Sequence, residues 1–262
     1  MDDEAQAFVL RSDLDGVASL TLNRPAQFNA LSIDMLDALT AALRELASDD
    51  SIRVIVLAGA GKAFCAGHDL KEMRANPAHA FQRNLFARAN KLMAQLLSQP
   101  QPVIARVHGI ATAAGCQLVA MCDLALAADS ARFSVSGINV GLFCATPAVA
   151  LSRNLGRKRA FEMLVTGDFV DATEAAQAGL INRAVPLEQL DAEVGRIARA
   201  ICAKSPAVIA AGKRIFYRQL EMGIEAAYQL AGEAMAANMM APDAAEGIDA
   251  FIEKRPPVWK GA

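Results

Sequence analysis

The sequence has little of what marks many specialised proteins. Of its 262 residues only 5% are aromatic, with one tryptophan and two tyrosines. The five cysteines (Cys65, Cys116, Cys122, Cys144 and Cys202) are odd in number and include no C-x-x-C pair, so a disulfide framework is not indicated. The three histidines, His68, His79 and His108, do not fall at ligand spacing with them, which argues against a metal site. No basic block stands out. Lys and Arg total 26 against 28 acidic residues, for a formal net charge of −2, so the electropositive patch of a nucleic-acid binder is absent. The start, Met1-Asp2-Asp3-Glu4, is acidic and has neither the basic nor the apolar region of a targeting signal, which makes the cytoplasm the expected location.

What is present is small and apolar. Hydrophobic residues make up 54% and the mean hydropathy is +0.25, so a membrane span has to be weighed. The window from Gly109 to Ala128 carries only Thr112, Gln117 and Asp123 as polar side chains. A carboxylate near the middle of a span costs ~2.5–3.5 kcal/mol, and no Lys or Arg cluster flanks the window. A buried helix and strand are expected there instead.

Along the chain, short apolar runs alternate with helical patterns, which places the chain in the α/β class. Phe8 to Leu10 and Val17 to Leu22 read as strands around an Asp13-Leu14-Asp15-Gly16 turn. Ser32 opens a helix whose Met35, Leu36, Leu39, Leu43 and Leu46 share one face. Further strands are expected at Arg53 to Ala58, Pro102 to Val107 and Leu124 to Ala127, with helices near Phe81 to Leu97 and Ala114 to Met121. After Pro147 helices dominate: Arg157 to Val165, Thr173 to Ala178, Leu187 to Lys204, Ala207 to Leu220, Ile224 to Met240 and Asp243 to Glu253.

Three familiar motifs fail. Gly59-Ala60-Gly61-Lys62 has Val56 and Ala63 where a phosphate loop needs Gly and Ser or Thr, so it reads as a plain turn. Gly109 and Gly115 do not complete a dinucleotide fingerprint, and no G-x-S-x-G elbow occurs. What holds is a pair of strand-to-helix junctions rich in small residues, Phe64 to Met73 and His108 to Leu118. Small residues at a helix start expose backbone N–H groups at its positive end, and two such groups facing one point can hold an oxygen that gains negative charge.

In this order along nearly the whole chain, the junctions resemble those of the enoyl-CoA hydratase/isomerase (crotonase) superfamily. Supporting pieces are Leu22 to Pro25, Asn29 to Leu31, Ala66 to Asp69, Met121 to Asp123, Thr166 to Asp168, Ala175 to Leu180 and Phe251 to Arg255. The resemblance implies the ClpP/crotonase-like fold, a β-β-α superhelical spiral core over residues 1–195 followed by a helical C-terminal trimerisation region over 196–262. It also implies an acyl-CoA thioester as substrate or ligand with no separate cofactor, and a homotrimer or hexamer. By position, the backbone N–H groups of His68 and Ala114 would form the oxyanion hole. Ala66, Asp69, Leu70 and Lys71 would line the CoA path, and Phe251 and Lys254 would close its nucleotide end across a subunit boundary.

The sequence departs from the family where hydration is performed. Gln117 stands in place of the first of two glutamates, and Gly137 in place of the second. A positioned acid or base contributes ~10²–10⁴ in rate, so loss of both should leave little ordinary hydratase activity. The same substitutions, with Val140 to Pro147 and Pro257 to Trp259, resemble the branch called enoyl-CoA hydratase domain-containing proteins. Candidate substitutes are His68, Asp69, Ser136, Asn139, Cys144 and Thr146, with Asp69 equally readable as a helix cap. Three readings follow: an enzyme that relies on enolate stabilisation, with room at Gly137 for a substrate group, water or bicarbonate; residual enoyl-CoA hydration with Gln117 orienting a water; or a non-catalytic acyl-CoA- or partner-binding protein.

Overall fold

Strand and helix alternation winds into a spiral in the computed structural model, which describes residues 7–261. The acidic residues Met1 to Glu4 lie outside that range. β1 (Val9–Leu14) and β2 (Val17–Leu22) form a hairpin closed by Asp15 and Gly16, both at positive φ (50° and 78°). That two-residue turn, tighter than the four residues expected, has the geometry that matches strand twist. α1 (Ile33–Ala47) follows, capped by Ser32, whose Oγ accepts from the Met35 N–H at 3.3 Å.

Three turns of the spiral then repeat one plan: a strand in a first sheet, a shorter strand in a second sheet, and helix. They are β3 (Val54–Gly59), β4 (Ala63–Cys65), α2 (Leu70–Ala75) and α3 (His79–Ser98); β5 (Val103–Val107), β6 (Ile110–Thr112) and α4 (Ala114–Met121); then β7 (Leu124–Ala128), β8 (Arg132–Ser134), a 3₁₀ turn (Ser136–Val140), α5 (Ala145–Asn154) and α6 (Arg157–Thr166). β9 (Val170–Asp171), α7 (Ala172–Ala178), β10 (Arg183–Val185) and α8 (Leu187–Cys202) complete the core, and α9 (Pro206–Gln219), α10 (Ile224–Met239) and α11 (Pro242–Glu253) form the tail. The first sheet has the order β1-β2-β3-β5-β7-β10 and the second β4-β6-β8-β9. Apart from the β1–β2 and β8–β9 pairs, all pairings are parallel.

The continuous apolar run of β3 is explained by a sheet covered on both faces. Ile55 and Leu57 join the main core under α1 and α3, whereas Val54 and Val56 pack with Ile104, Leu126 and the α8 residues Leu190, Val194 and Ala198. α8 therefore belongs to the core, and positions 195 and 196, the expected division, both lie inside this one helix. The strands of the second sheet have two or three residues each, too short to leave a period in the sequence. β6 thus intervenes where β5 was expected to lead directly into a helix.

The apolar window from Gly109 to Ala128 is β6, α4 and β7, and no helix among the described residues is long and apolar enough to cross a membrane. Its one carboxylate is half-buried and used. Asp123 Oδ2 accepts from Lys213 Nζ and from the Val103 N–H, each at 2.6 Å, and Oδ1 accepts from the Tyr217 hydroxyl at 2.8 Å. Lys213 Nζ also donates to the carbonyls of Leu96 and Gln101, at 2.8 and 3.1 Å. Burial pulls the Lys213 ammonium below its usual range, against the opposing pull of Asp123. This cluster bolts α9 onto the core. Beyond it the tail leaves large apolar side chains exposed, among them Phe216, Ile224, Tyr228, Met235 and Phe251.

Candidate functional site

The segment Asn23 to Leu31 holds the first junction in place from outside it. Asn29, fully buried and at φ 56°, donates from Nδ2 to the carbonyls of Ala60 (2.9 Å) and Ala63 (2.8 Å), while its Oδ1 accepts from the Arg24 N–H at 2.9 Å. Arg24 Nη1 donates to the Ala30 carbonyl at 3.0 Å and to Asp69 Oδ2 at 3.1 Å. Asp69 in turn caps α2, its Oδ1 accepting from the N–H groups of Lys71 (3.0 Å) and Glu72 (3.2 Å). Burial alone would raise the Asp69 pKa, but the Glu72 N–H and Arg24 more than offset it and hold the carboxyl below its usual range. Three donors hold the carboxylate, so Asp69 shapes the junction.

This clamp sets the direction of one backbone group. Leu31 and His68 form an isolated parallel bridge in which the Leu31 N–H donates to the Gly67 carbonyl at 2.7 Å and the Asp69 N–H to the Leu31 carbonyl at 3.3 Å. In a parallel ladder the residue between those two bonds points its own N–H and C=O to the opposite side. The His68 N–H is therefore directed away from Leu31.

The second junction lies against the first because β4 pairs with β6. Gly67, at φ 90°, is where they touch. A Cβ there would fall 2.9 Å from Ala113 Cβ and 3.2 Å from the Ala114 nitrogen, distances that only glycine permits. Ala113 itself sits at φ 50°, ψ −120°, a conformation that costs a side-chain-bearing residue of order 1–3 kcal/mol and is held here by the Ala113 N–H bonding the Ser134 carbonyl at 2.9 Å. Ala114 is the first residue of α4, so its N–H has no intrahelical acceptor.

A cavity of about 450 Å³ opens over both junctions. Ala66, His68, Leu70, Ala113 and Ala114 form one side, Met73 and Phe86 another, and the 3₁₀ turn with the start of α5 the third. Among the described residues, no Lys, Arg, Asp or Glu lines it. His68 is its most unusual polar group. Both ring nitrogens are buried without a hydrogen-bond partner, and the ring stands edge-on to Phe86 with centroids 5.3 Å apart. Burial holds the imidazole below its ordinary pKa, and the nearby Leu31 carbonyl, which forms no hydrogen bond to the ring, offsets this only in part.

Positions 117 and 137 differ in their surroundings. Gln117 lies one turn into α4, 4% exposed, with Oε1 unpartnered among the described residues, and does not line the cavity. Gly137 lines the cavity, but in the direction a side chain would take there is no room. A Cβ at Gly137 would meet Cys144 Sγ at 2.6 Å and the Leu142 carbonyl oxygen at 2.7 Å, because the loop between the 3₁₀ turn and α5 folds back onto it. Cys144 donates its thiol to the Val135 carbonyl, and burial pushes its pKa up, as it pushes Cys65 and Cys116 to about 12. None of these thiols is an activated nucleophile. Ser136 shares a 2.8 Å hydrogen bond with Thr112, and Thr146 lines the far side at the start of α5.

The remaining expected site residues are not gathered here. Lys71 is exposed on α2, Phe251 and Lys254 lie exposed at the end of α11, and none of the three lines the cavity. The roles of Arg24 and Asn29 in fixing the junction were missed by sequence reading. The signal lay in their motifs, but a clamp acting across 45 residues has no local signature.

The family model described as Enoyl-CoA hydratase/isomerase matches residues 13–262. Among curated relatives, the rat protein "Enoyl-CoA hydratase domain-containing protein 3, mitochondrial" is 45% identical over 94% of this chain and 82% of its own length. A Mycobacterium smegmatis crystal structure described as enoyl-CoA hydratase is 60% identical, with a TM-score of 0.95 over 96% of this chain and 98% of that one. The human enoyl Coenzyme A hydratase domain-containing protein 3 is 43% identical with a TM-score of 0.94, covering 96% of this chain and all of that one. The rat relative and its vertebrate counterparts are mitochondrial by name, which overturns the expectation of a cytoplasmic location drawn from the first four residues.

Proposed function

The chain belongs to the enoyl-CoA hydratase/isomerase family, and on that premise we propose that it binds an acyl-CoA thioester in the cavity over the two junctions. The carbonyl oxygen is received by the N–H groups of His68 and Ala114, which stabilise the enolate formed when the neighbouring carbon gives its proton to a basic group of the substrate or to water. The observation that carries this reading is the contact of the two junctions at Gly67, which brings an N–H directed off the Leu31 bridge beside the open start of α4. Preorganised N–H donors of this kind are worth ~10²–10³ in rate each where charge develops. Ordinary hydration is not the main reaction, since Gln117 cannot exchange a proton and Gly137 offers neither a side chain nor space for one. Ala66 and Leu70 border the thioester, Lys71 stands where α2 would flank the CoA phosphates, and Asp69 holds that helix in register. Phe251 and Lys254 act from a neighbouring copy in a homotrimer or hexamer, a reading supported by the exposed apolar side chains of α9 to α11.

Two other readings remain measurable. Residual enoyl-CoA hydration is favoured by the unpartnered Gln117 Oε1, which could orient a water, and a purely binding role is the outcome if ligand is held without turnover. Calorimetric titration with CoA and short acyl-CoAs comes first; no binding at millimolar ligand refutes the acyl-CoA reading. Crotonyl-CoA turnover that is abolished in Gln117→Ala and raised in Gln117→Glu would establish hydration instead. Exchange of the α-proton of butyryl-CoA with D₂O reports the enolate directly. Sedimentation as a stable monomer would remove the assigned roles of Phe251 and Lys254.

A further inference from the structure

The motif from Pro257 to Trp259 takes no part in the candidate site, since none of residues 256–261 lines that cavity. The segment lies instead along one face of α11. The Val258 N–H donates to Glu246 Oε1 at 2.7 Å, the Lys260 N–H to Asp243 Oδ1 at 2.7 Å and the Gly261 N–H to Asp243 Oδ2 at 3.1 Å. The one tryptophan of the sequence closes the contact, its Nε1–H donating at 2.8 Å to the carbonyl of Ala203, between α8 and α9. Gly247 is its seat. A Cβ there would come within 3.2 Å of the indole Cη2 and 3.3 Å of Cζ3, so the ring occupies the direction of a side chain. Glycine inside a helix is unfavourable relative to alanine, and the indole accounts for its use here.

Asp243 joins this segment to the rest of the protein. It is buried, and its Oδ2 also accepts from the Ser205 hydroxyl at 2.6 Å, while Ser205 Oγ accepts from the Val208 N–H at the start of α9. Two of the three groups that donate to this carboxylate therefore come from residues 260 and 261. A buried carboxylate stripped of donors is costly, so segment and carboxylate hold or let go together. α11 has little else to fix it: Asp243 and Ala250 are its buried residues, whereas Phe251 and Ile252 are exposed. The segment itself is exposed at each described residue but Trp259, which is half-buried. Few buried apolar contacts and hydrogen bonds close to solvent mark a region that opens more readily than the core.

We propose that residues 256–261 form a releasable strap, closed by Trp259 and Asp243, which sets the position of α11 and opens as a unit while the sheets stay folded. Release withdraws the indole from Gly247 and removes one wall of a second cavity of about 470 Å³, bounded by Trp259, Ile52, Pro102 and the first turn of α9. The two cavities share no lining residue, so the strap works independently of what the cavity over the junctions binds.

Hydrogen exchange on the full chain tests this, with the amides of Val258, Lys260 and Gly261 reporting the strap, those of α11 its helix and those of β3 the core. In wild type the strap amides should exchange at least about tenfold more slowly than in a free peptide and at least about tenfold faster than β3. Tryptophan emission, which reports Trp259 alone, should move to the red at urea concentrations where far-UV dichroism is unchanged. In Gly247→Val, which fills the seat of the indole, the strap amides should reach the free-peptide rate and the α11 amides exchange about tenfold faster, with β3 unchanged. Valine also lowers helix propensity, so Trp259→Ala, which leaves α11 intact, must give the same pattern. Strap amides as slow as β3, or an emission change that coincides with loss of dichroism, overturn the proposal, because the strap would then open only with the whole fold. Strap amides as fast as a free peptide in wild type overturn it too. So does α11 exchange that stays unchanged once the strap is released, or an effect confined to Gly247→Val. Should Gly247→Val not fold, Trp259→Ala decides alone.

Discussion

A glutamate introduced at position 137, where the family resemblance would place one, should fail to confer hydration, for a reason that lies in the backbone. In Gly137→Glu the new Cβ would sit 2.6 Å from Cys144 Sγ and 2.7 Å from the Leu142 carbonyl oxygen, where real Cβ atoms keep at least 3.0 Å from their neighbours. The thiol can rotate, but its bond to the Val135 carbonyl would be lost, and the Leu142 carbonyl can only move with its loop. That loop is tied to position 137 by the Leu142 N–H, which bonds the Gly137 carbonyl at 2.9 Å. Overpacking of this kind costs about 1–3 kcal/mol, and at roughly 2–4 °C per kcal/mol for a domain of this size the melting temperature should drop by about 2–12 °C. The displaced carboxylate would then miss the geometry in which it could contribute its ~10²–10⁴ in rate. Hydration of crotonyl-CoA, followed by loss of the enoyl absorbance, should stay within a few-fold of wild type in Gly137→Glu. Adding Cys144→Ala should recover part of the stability and none of the rate. A Gly137→Glu protein that melts like wild type and hydrates crotonyl-CoA a hundredfold faster would refute the reasoning, because it would mean the loop yields freely.

Other expectations follow from the same geometry. Asp123→Ala strands the Lys213 ammonium in the core and should cost about 3–5 kcal/mol in urea unfolding, whereas the paired change Asp123→Leu with Lys213→Met should recover most of it. Asp69→Ala removes two cap bonds and the Arg24 contact; a loss of about 1–2 kcal/mol is expected, with acyl-CoA affinity falling alongside, and unchanged affinity would detach the clamp from the site. Because burial depresses the His68 pKa in the folded state, the unfolded chain takes up the proton first as pH falls below its ordinary value, ~6.5. The stability of wild type relative to His68→Phe should therefore fall between pH 7 and pH 5.5, and a constant difference would refute the depressed pKa. His108, also depressed by burial, contributes equally to both proteins and cancels in that comparison.

Several helices were legible through an apolar face or a cap: Ser32 before α1, Gly179 after α7, and the run from Met35 to Leu46. The first sheet was legible through β3 and β5, whose apolar runs suit strands covered on both faces. The second sheet was not. β4, β6 and β8 have three residues each, and what defines them is pairing with segments some 20 to 50 residues away. The order of motifs located both junctions, yet their contact at Gly67 and the direction of the His68 N–H depend on the bridge to Leu31. What surrounds Gly137 was hidden for a related reason: the loop that returns to fill the direction of a side chain there leaves no mark in the local sequence.

The bridge between Leu31 and His68 also decides which kind of genetics can reach this protein's chemistry. If the proposed donors are main-chain N–H groups, a scan that exchanges side chains one at a time will pass over positions 68 and 114 with effects that report only packing. Codons rewrite what hangs from the backbone and leave the donor in place. The informative change is atomic, an amide-to-ester exchange entering residue 68 or 114, which replaces N–H by oxygen and preserves every side chain. A protein tolerant of most single substitutions across its cavity and disabled by either of those two atoms would have its function written in the path of the chain.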